Sequence, residues 1–564
     1  MWNKLNKQSN LNNKYFKMIN IKPKAQVAYF SMEITLENCI KNFAGGLGIL
    51  AGDILRSASE KKFPMLAVSL LYKHGYFKQL ISKKGKQEEL VDKSDFSKLK
   101  LLPFKINLNI SQDKVVLRAW EYILKSNEGI EIPVYLLDSD WPENREKHRR
   151  LCEHIYDGDL RKKLKQSIVL GRGGVKLLEK LGESNISKIH LNEGHGALAA
   201  IELFLTSKKR SEKDKIKEVR KKLVFTTHTP VVAGHDIYFG EFLLKYQPDF
   251  PLKIKGLVEN DKINFTNLAM FFSSYINGVS LKHREVSRAM FPAYKIDSIT
   301  NGVNSSLWIA PEFKNIFNKF IPSWEEDNSL LKEAEKIPLA EIKKAHQEAK
   351  LRLIKLVEEK TKLKFKEDIF TITFARRFAP YKRPSLLLDD LEVLKKLNKR
   401  IGKIQIIYSG KAHPNDVVGQ TLISEVNKRI KKLAREIKIA FLENYDIEIA
   451  KVLVAGSDLW LNNPVAPNEA SGTSGMKAAH NGVPQLSTLD GWWPEASPEK
   501  TGWIIKDDGI KNNLLEVLSE KIIPLYYKRE GEYFKICRRA ISLNAAKFNS
   551  QRVLGEYIKK AYRD

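Results

Sequence analysis

The chain has 564 residues, 43% hydrophobic and 29% charged, which excludes wholesale disorder and calls for two to four packed units at roughly 150 residues each. No run approaches the roughly 20 apolar residues that span a bilayer, and the start lacks the apolar core of a secretory signal. The net charge of +29 permits anionic partners, but no aromatic residues interleave with the basic runs, so a nucleic-acid platform is not expected.

Residues 1–25 carry six lysines and no acid and read as a solvated, disordered tail. Residues 26–31 (QVAYFS) form a β-rich run, and the loop Ala44-Gly45-Gly46-Leu47-Gly48 then opens a helical stretch to residue 60. Further runs lie at 188–192 and 223–227, separated by the mixed-sign segment 207–222, which reads as an exposed helical face. Pro311, Pro322 and a polar stretch mark a boundary at 309–327. Pro338 then opens a helix with Ile342, Ala345, Ala349, Leu353 and Leu356 on one stripe. Apolar runs at 368–374, 403–409, 437–442 and 457–461 follow, with a short helix expected over 476–481. Alternating strands and helices imply parallel sheets. The expected architecture is α/β, with two Rossmann-like lobes (26–330 and 331–564) facing across a cleft and the last helix packing back on the first lobe. Ligands of such sheets bind beyond the carboxyl ends of the strands.

Four loops there can carry chemistry. The glycines at 45–48 allow backbone amides to approach an anion at a helix start, although the loop is neither a P-loop nor a GxGxxG fingerprint. Arg376, Arg377, Lys382 and Arg383 crowd the end of the 368–374 run, where arginine forks and a lysine charge suit phosphate oxygens. The segment Asn468-Glu469-Ala470-Ser471-Gly472-Thr473-Ser474-Gly475-Met476-Lys477 pairs a small hydroxylic cradle with a lysine in apolar surroundings. His195 and His228 end neighbouring strands, but no HExxH or CxxC accompanies them, so no metal site is expected, and no GxSxG elbow suggests a serine hydrolase. Cys39, Cys152 and Cys537 lie far apart, which excludes a disulfide scaffold and points to a reducing, cytoplasmic compartment.

At these residues the chain resembles the α-glucan (glycogen, starch or maltodextrin) phosphorylases, in their short microbial form and with the two-lobed glycosyltransferase (GT-B) fold. The resemblance runs from about Ala28 to Tyr562, through YFSMEITLENCIKNFAGGLGILAGD, HLNEGHGALA, VFTTHTPVVAGHD, ITNGVNSSLW, FARRFAPYKRP, GKAHP, FLENYDIEIAKVLVAGSDLWLN and EASGTSGMKAAHNGV. In that family the lysine of the last motif carries pyridoxal 5′-phosphate covalently, which implies this role for Lys477. The resemblance implies phosphate binding by Arg377 and Lys382, with Arg376 beside them and Tyr381 on the sugar. It places Glu469, Ser471 and Gly472 on glucosyl hydroxyls, and Thr473, Ser474 and Tyr445 on the cofactor. His228 and Asn301 fall on the sugar's 6-hydroxyl, Gly45, Gly46, Leu47 and Gly48 above the reacting phosphates, and His195 elsewhere in the active site. The implied partners are an α-1,4-glucan and inorganic phosphate, and a homodimer is compatible with the reading. Two positions depart from the pattern: Asn304 stands where short relatives carry histidine, and Arg172 where they often carry an apolar residue.

The implied reaction is phosphorolysis of a terminal α-1,4-linked glucose to α-glucose 1-phosphate with retained configuration. Clustered cations and phosphates would replace the two carboxylates of a retaining glycosidase. One alternative is a nucleotide-sugar-dependent glucan synthase of the same fold, which needs no pyridoxal and so leaves Lys477 unexplained. Another is a catalytically silent glucan-binding protein, which predicts loss of the lysine or the cation cluster.

Overall fold

The computed structural model describes residues 25–563 apart from 128, 157 and 184. The basic tail expected at 1–25 thus lies, but for residue 25, outside the described residues.

Two sheets, one mostly and one wholly parallel, organise the chain. The first is ten-stranded and builds outward from Val27–Ser31. Met65–Leu70 and then Ile132–Asp138 continue it on one side, and Lys188–Asn192, Leu223–Thr226, Tyr275–Gly278 and Asp297–Ser298 on the other, all parallel. The long strand Asp113–Leu124 adds antiparallel beyond Ile132–Asp138. Every residue of Val27–Ser31 is buried, as a strand covered on both faces requires. Its pleat divides the packing: Ala28 and Phe30 enter one apolar core, Val27 and Tyr29 another.

The second sheet has six parallel strands in the order Lys438–Leu442, Ile404–Ser409, Phe370–Ala375, Leu459–Asn462, Gln485–Thr488, Gly502–Ile505. This doubly wound order reverses between Phe370–Ala375 and Leu459–Asn462, which opens a crevice at their carboxyl ends. The fold is α/β with two Rossmann-like sheets, as expected.

Leu339–Thr361 is the helix that Pro338 introduces. Ile342, Ala345, Ala349 and Leu353 are buried, and the seam continues through Val357, leaving Leu356 half-buried. A buried network ties this helix to the second sheet. Asp458 accepts from Lys350 Nζ at 2.6 Å and from the Thr371 amide at 2.7 Å, and lies 2.8 Å from His346 Nε2.

Two clasps join the regions around the sheets. The hairpin Lys78–Ile81 with Gln87–Leu90 reaches across, where the Gln79 and Asn444 side chains each take the other's amide N–H, at 3.1 and 3.0 Å. The helix Ser550–Lys560, capped by Asn549, returns to pack on Gly46–Glu60, with the Ser57 and Ser550 hydroxyls 2.6 Å apart. Gly302 is required beneath it, because a Cβ there would lie 2.4 Å from the Asn549 carbonyl oxygen.

Both departures from the family pattern have structural partners. Asn304 Oδ1 accepts the Leu307 amide at 2.8 Å and caps Ser305–Trp308, while its Nδ2 donates to Glu60 at 2.9 Å. Arg172 lies in the irregular turn Val169–Gly173, donates to Glu202 at 2.6 Å and holds Asp249 bidentately at 2.8 and 2.9 Å. The buried Glu202 also meets Lys176 at 2.7 Å, so two cations share it. Replacing Arg172 by Met should destabilise the fold by about 3–5 kcal/mol, the usual cost of breaking one side of a buried pair. The check is the thermal midpoint of both proteins; an unchanged midpoint contradicts this account.

Candidate functional site

The loops after Phe370–Ala375 and Leu459–Asn462 meet at the crevice. Arg376 follows the first strand directly, and its guanidinium bonds Asn462 Oδ1 at the end of the second. Arg376 Nη2 also donates to Glu469 Oε2 at 2.5 Å, and Lys382 Nζ donates to the same oxygen. All three side chains are buried. Burial alone would raise the Glu469 carboxyl, but the charges of Lys382 and Arg376 override it and pull it down to about 2. Burial, reinforced by Arg376, pushes the Lys382 ammonium down. The Glu469 amide donates to Asp490 Oδ2 at 2.8 Å, which fixes the loop behind the carboxylate.

Arg377 is solvent-exposed at the same edge, in contact with Tyr381. The cations after this strand therefore divide. Arg376 and Lys382 are spent on Glu469, Arg377 faces outward, and Arg383 donates to the carbonyls of Asn463 and Pro464.

Lys477 sits in the helix Ser474–Ala479, which begins two residues earlier than its sequence suggests. Thr473 precedes that helix and Ser474 opens it, with Ser474 Oγ accepting from Trp460 Nε1 at 3.1 Å. Lys477 is 6% exposed, and its Nζ lies 3.8 Å from the centre of the Trp308 ring. Burial lowers its ammonium to about 8, against the opposing pull of Asp53. Trp308 Nε1 donates to Asp53 Oδ2 at 2.9 Å, so the ring stands between amine and carboxylate. Burial raises Asp53 to about 6.

The elements of the first sheet supply the facing groups. Gly45 and Gly46 are exposed at the start of Gly46–Glu60, followed by Leu47, and Gly48 is packed so tightly that a Cβ would lie 2.6 Å from Phe43. The amides of Ala44 and Gly45 are already taken by Glu33 Oε2, at 2.7 and 3.1 Å. Amides open to an anion are therefore those of Gly46, Leu47 and Gly48, which a helix start leaves without intrahelical acceptors. His228 Nε2 lies 2.6 Å from Asn192 Oδ1, and burial lowers the His228 imidazole to about 3. Burial likewise lowers His195 to about 4. Asn301 Oδ1, Ser471 Oγ and His195 Nδ1 are buried without a hydrogen-bond partner among the described residues.

Tyr445 is half-buried, its phenol raised by burial and countered by the nearby Arg376 charge. Gly472 takes φ +75°, which lets the loop turn beside the Glu469 side chain. Ser280 Oγ donates to the Ala470 carbonyl at 2.6 Å, which joins the two loop systems directly. Asp53, Trp308, Glu33 and Asn462 are absent from the sequence-derived set. Asp53 had a signal: it sits between Leu50 and Ile54 on the apolar stripe of its helix, where an unpaired acid is costly.

At Lys477 the site holds a desolvated amine against an aromatic face. Two titrations test its electrostatics. Labelling of Lys477 should show a midpoint near 8 rather than near the ordinary lysine value of 10.5, and Asp53→Asn should lower it further by removing the opposing charge. A midpoint near the ordinary lysine value would overturn the burial assignment. Glu469 is depressed from 4.5 to about 2, so its stabilisation is present above 4.5 and lost as pH falls towards 2. Glu469→Gln should flatten that acid limb in a stability–pH profile; an unaltered limb is the contrary result.

A carbohydrate phosphorylase family model matches residues 241–497. The maltodextrin phosphorylase of Thermococcus litoralis is 36% identical, over 95% of this chain and 70% of its own length. The glycogen phosphorylase of Aquifex aeolicus is 34% identical, over 96% and 86% respectively. An uncharacterised Methanocaldococcus jannaschii protein is 32% identical over 95% of this chain and 99% of its own length. Since this identity extends through both sheets and the loops between them, the chain belongs to the carbohydrate phosphorylase family.

Proposed function

We propose that the protein is an α-glucan phosphorylase that transfers the terminal α-1,4-linked glucose of a maltodextrin or glycogen chain to inorganic phosphate. The observation that carries this reading is Lys477: a buried amine with a lowered pKa, on the face of Trp308, within EASGTSGMK. Pyridoxal 5′-phosphate is the proposed cofactor, held at Lys477, with Thr473, Ser474 and Tyr445 around it. When bound, it supplies a phosphate group able to give and take a proton beside the substrate phosphate. The proposed lobes, 26–330 and 331–564, contribute opposite walls of the cleft, in a cytoplasmic enzyme whose three cysteines are unpaired.

The chain's own residues have separable tasks. Arg377, exposed at the crevice, receives inorganic phosphate as a bidentate fork. Lys382 adds a second charge from beneath, oriented by Glu469. Lys382 and Arg376 together keep Glu469 ionised, so the carboxylate can also accept sugar hydroxyls. The start of Gly46–Glu60 presents amides from above. As the C1–O4 bond breaks, the leaving glucan oxygen takes the proton of hydrogen phosphate and departs as a hydroxyl; the negative charge left on the phosphate oxygens, already surrounded by these cations, favours formation of the C1–O–P bond on the face the glucan left. His228 stays neutral; its Nε2–H faces Asn192 Oδ1, leaving Nδ1 as an acceptor suited to the sugar's 6-hydroxyl. A nucleotide-sugar synthase would leave the Lys477 environment without a purpose.

Borohydride reduction and digestion of the purified protein should yield a pyridoxyl peptide containing Lys477; a label on another lysine in fully active enzyme overturns the cofactor assignment. Initial rates on maltodextrin against phosphate concentration test the clamp. Lys382→Ala and Arg377→Ala should each lower phosphorolysis by about 30-fold to several-thousand-fold, as expected for leaving a bound anion without one charged partner at ~2–5 kcal/mol. Near wild-type phosphate dependence in both variants would show that the clamp lies elsewhere.

A further inference from the structure

A cluster outside the reaction site combines two imidazoles and a carboxylate. His74, on the loop that leaves Met65–Leu70, meets Glu153 and His154, with one ligand atom from each lying within 4.8 Å of the others. We propose that these three residues bind a divalent transition-metal ion, with zinc the best match to two histidines and one glutamate, and that the ion braces the wall of the cleft without entering the reaction.

Main-chain geometry brings the ligands together. The His74 amide donates to the Glu153 carbonyl at 3.0 Å, and His74 pairs with His154 in a parallel bridge and with Lys93 in an antiparallel one. The two imidazoles lie 4.9 Å apart between centroids and tilt by 35°, so they converge rather than stack. His74 Nδ1 is buried and has no hydrogen-bond partner among the described residues. A buried ring nitrogen without a partner is costly, and metal coordination removes that cost. Zinc bonds of about 2.0–2.2 Å place tetrahedral ligand atoms about 3.3 Å apart. Small rotations of three half-buried side chains close the remaining gap. The cations nearby are Lys73 and Lys93; Lys73 is engaged by Asp140, and Glu153 supplies compensating negative charge.

The position explains what an ion would do. Two residues after His74, the Tyr76 ring lies 5.7 Å from that of His413 and close to the Arg377 charge. Two residues after His154, the Tyr156 hydroxyl donates to Glu33 Oε1 at 2.8 Å, and the other oxygen of Glu33 holds the glycine-loop amides. Fixing His74 to His154 therefore fixes the supports of both the phosphate edge and the glycine loop. With three protein ligands, water would fill the fourth position.

The experiment uses the full chain, stripped by chelator and titrated with cobalt(II), then zinc, while visible absorption and thermal midpoint are recorded. A stoichiometric cobalt spectrum, displaced by zinc and accompanied by a rise in midpoint, is expected. His154→Ala should weaken binding by more than the ~10–100-fold typical of an outer-shell loss. Glu153→Gln, which preserves shape, should also weaken it while leaving the metal-free midpoint close to wild type. No saturable binding, or equal affinity in wild type and both variants, overturns the proposal. Because the readout is metal affinity, it stands or falls independently of phosphorolysis.

Discussion

A single carboxylate, Glu469, is buried between two cations, and the crevice is arranged around that fact. Neither Arg376 nor Lys382 could be held desolvated at the end of a parallel sheet without an anion, and Glu469 serves both with one oxygen. The count does not close, however. Arg376, Arg377 and Lys382 contribute three positive charges to one negative, so the edge remains electropositive after its internal pairing is complete. In the proposed function an anionic substrate completes that surplus, met by Arg377, which is exposed while Arg376 and Lys382 are buried.

The opposite wall has a different electrostatic character. His195 and His228 are held neutral by burial, and burial also raises Glu33 and Glu193. Glu193 nevertheless accepts from the His228 amide at 2.7 Å, and Glu33 accepts from the glycine loop, so each acid organises backbone, and Glu33 also feels the Arg377 charge. A cationic edge facing a largely neutral, hydrogen-bonding wall suits a substrate that is anionic at one end and hydroxylated at the other.

Much of this organisation could be read before any coordinates. The apolar runs ending at Ser31, Asn192 and Leu461 announced buried parallel strands, and the dense cations after Phe374 marked a strand end that mattered. The contacts that tune those groups were illegible because they join residues far apart in the chain. Asp53 and Lys477 meet at the Trp308 ring, one bonded to its Nε1 and the other over its face. The partners of Arg172 come from Glu202 and from the turn at Asp249, so its charge made no sense beside two glycines in sequence. Glu33 looked like an ordinary acid until the fold brought Ala44, Gly45 and Tyr156 to it.

The returning helix Ser550–Lys560 has a bearing on how the polypeptide is made. Val553, Leu554 and Tyr557, with Tyr562 just beyond, fill the same apolar cluster as Val27 and Tyr29, and the Tyr562 hydroxyl meets His190 at 2.7 Å. The sheet translated first thus lacks one layer of its interior until residues near 562 have left the ribosome. During synthesis its Tyr29 face has the cover of Gly46–Glu60 but not of this helix, and the last packing step of the first sheet waits on the completion of the second.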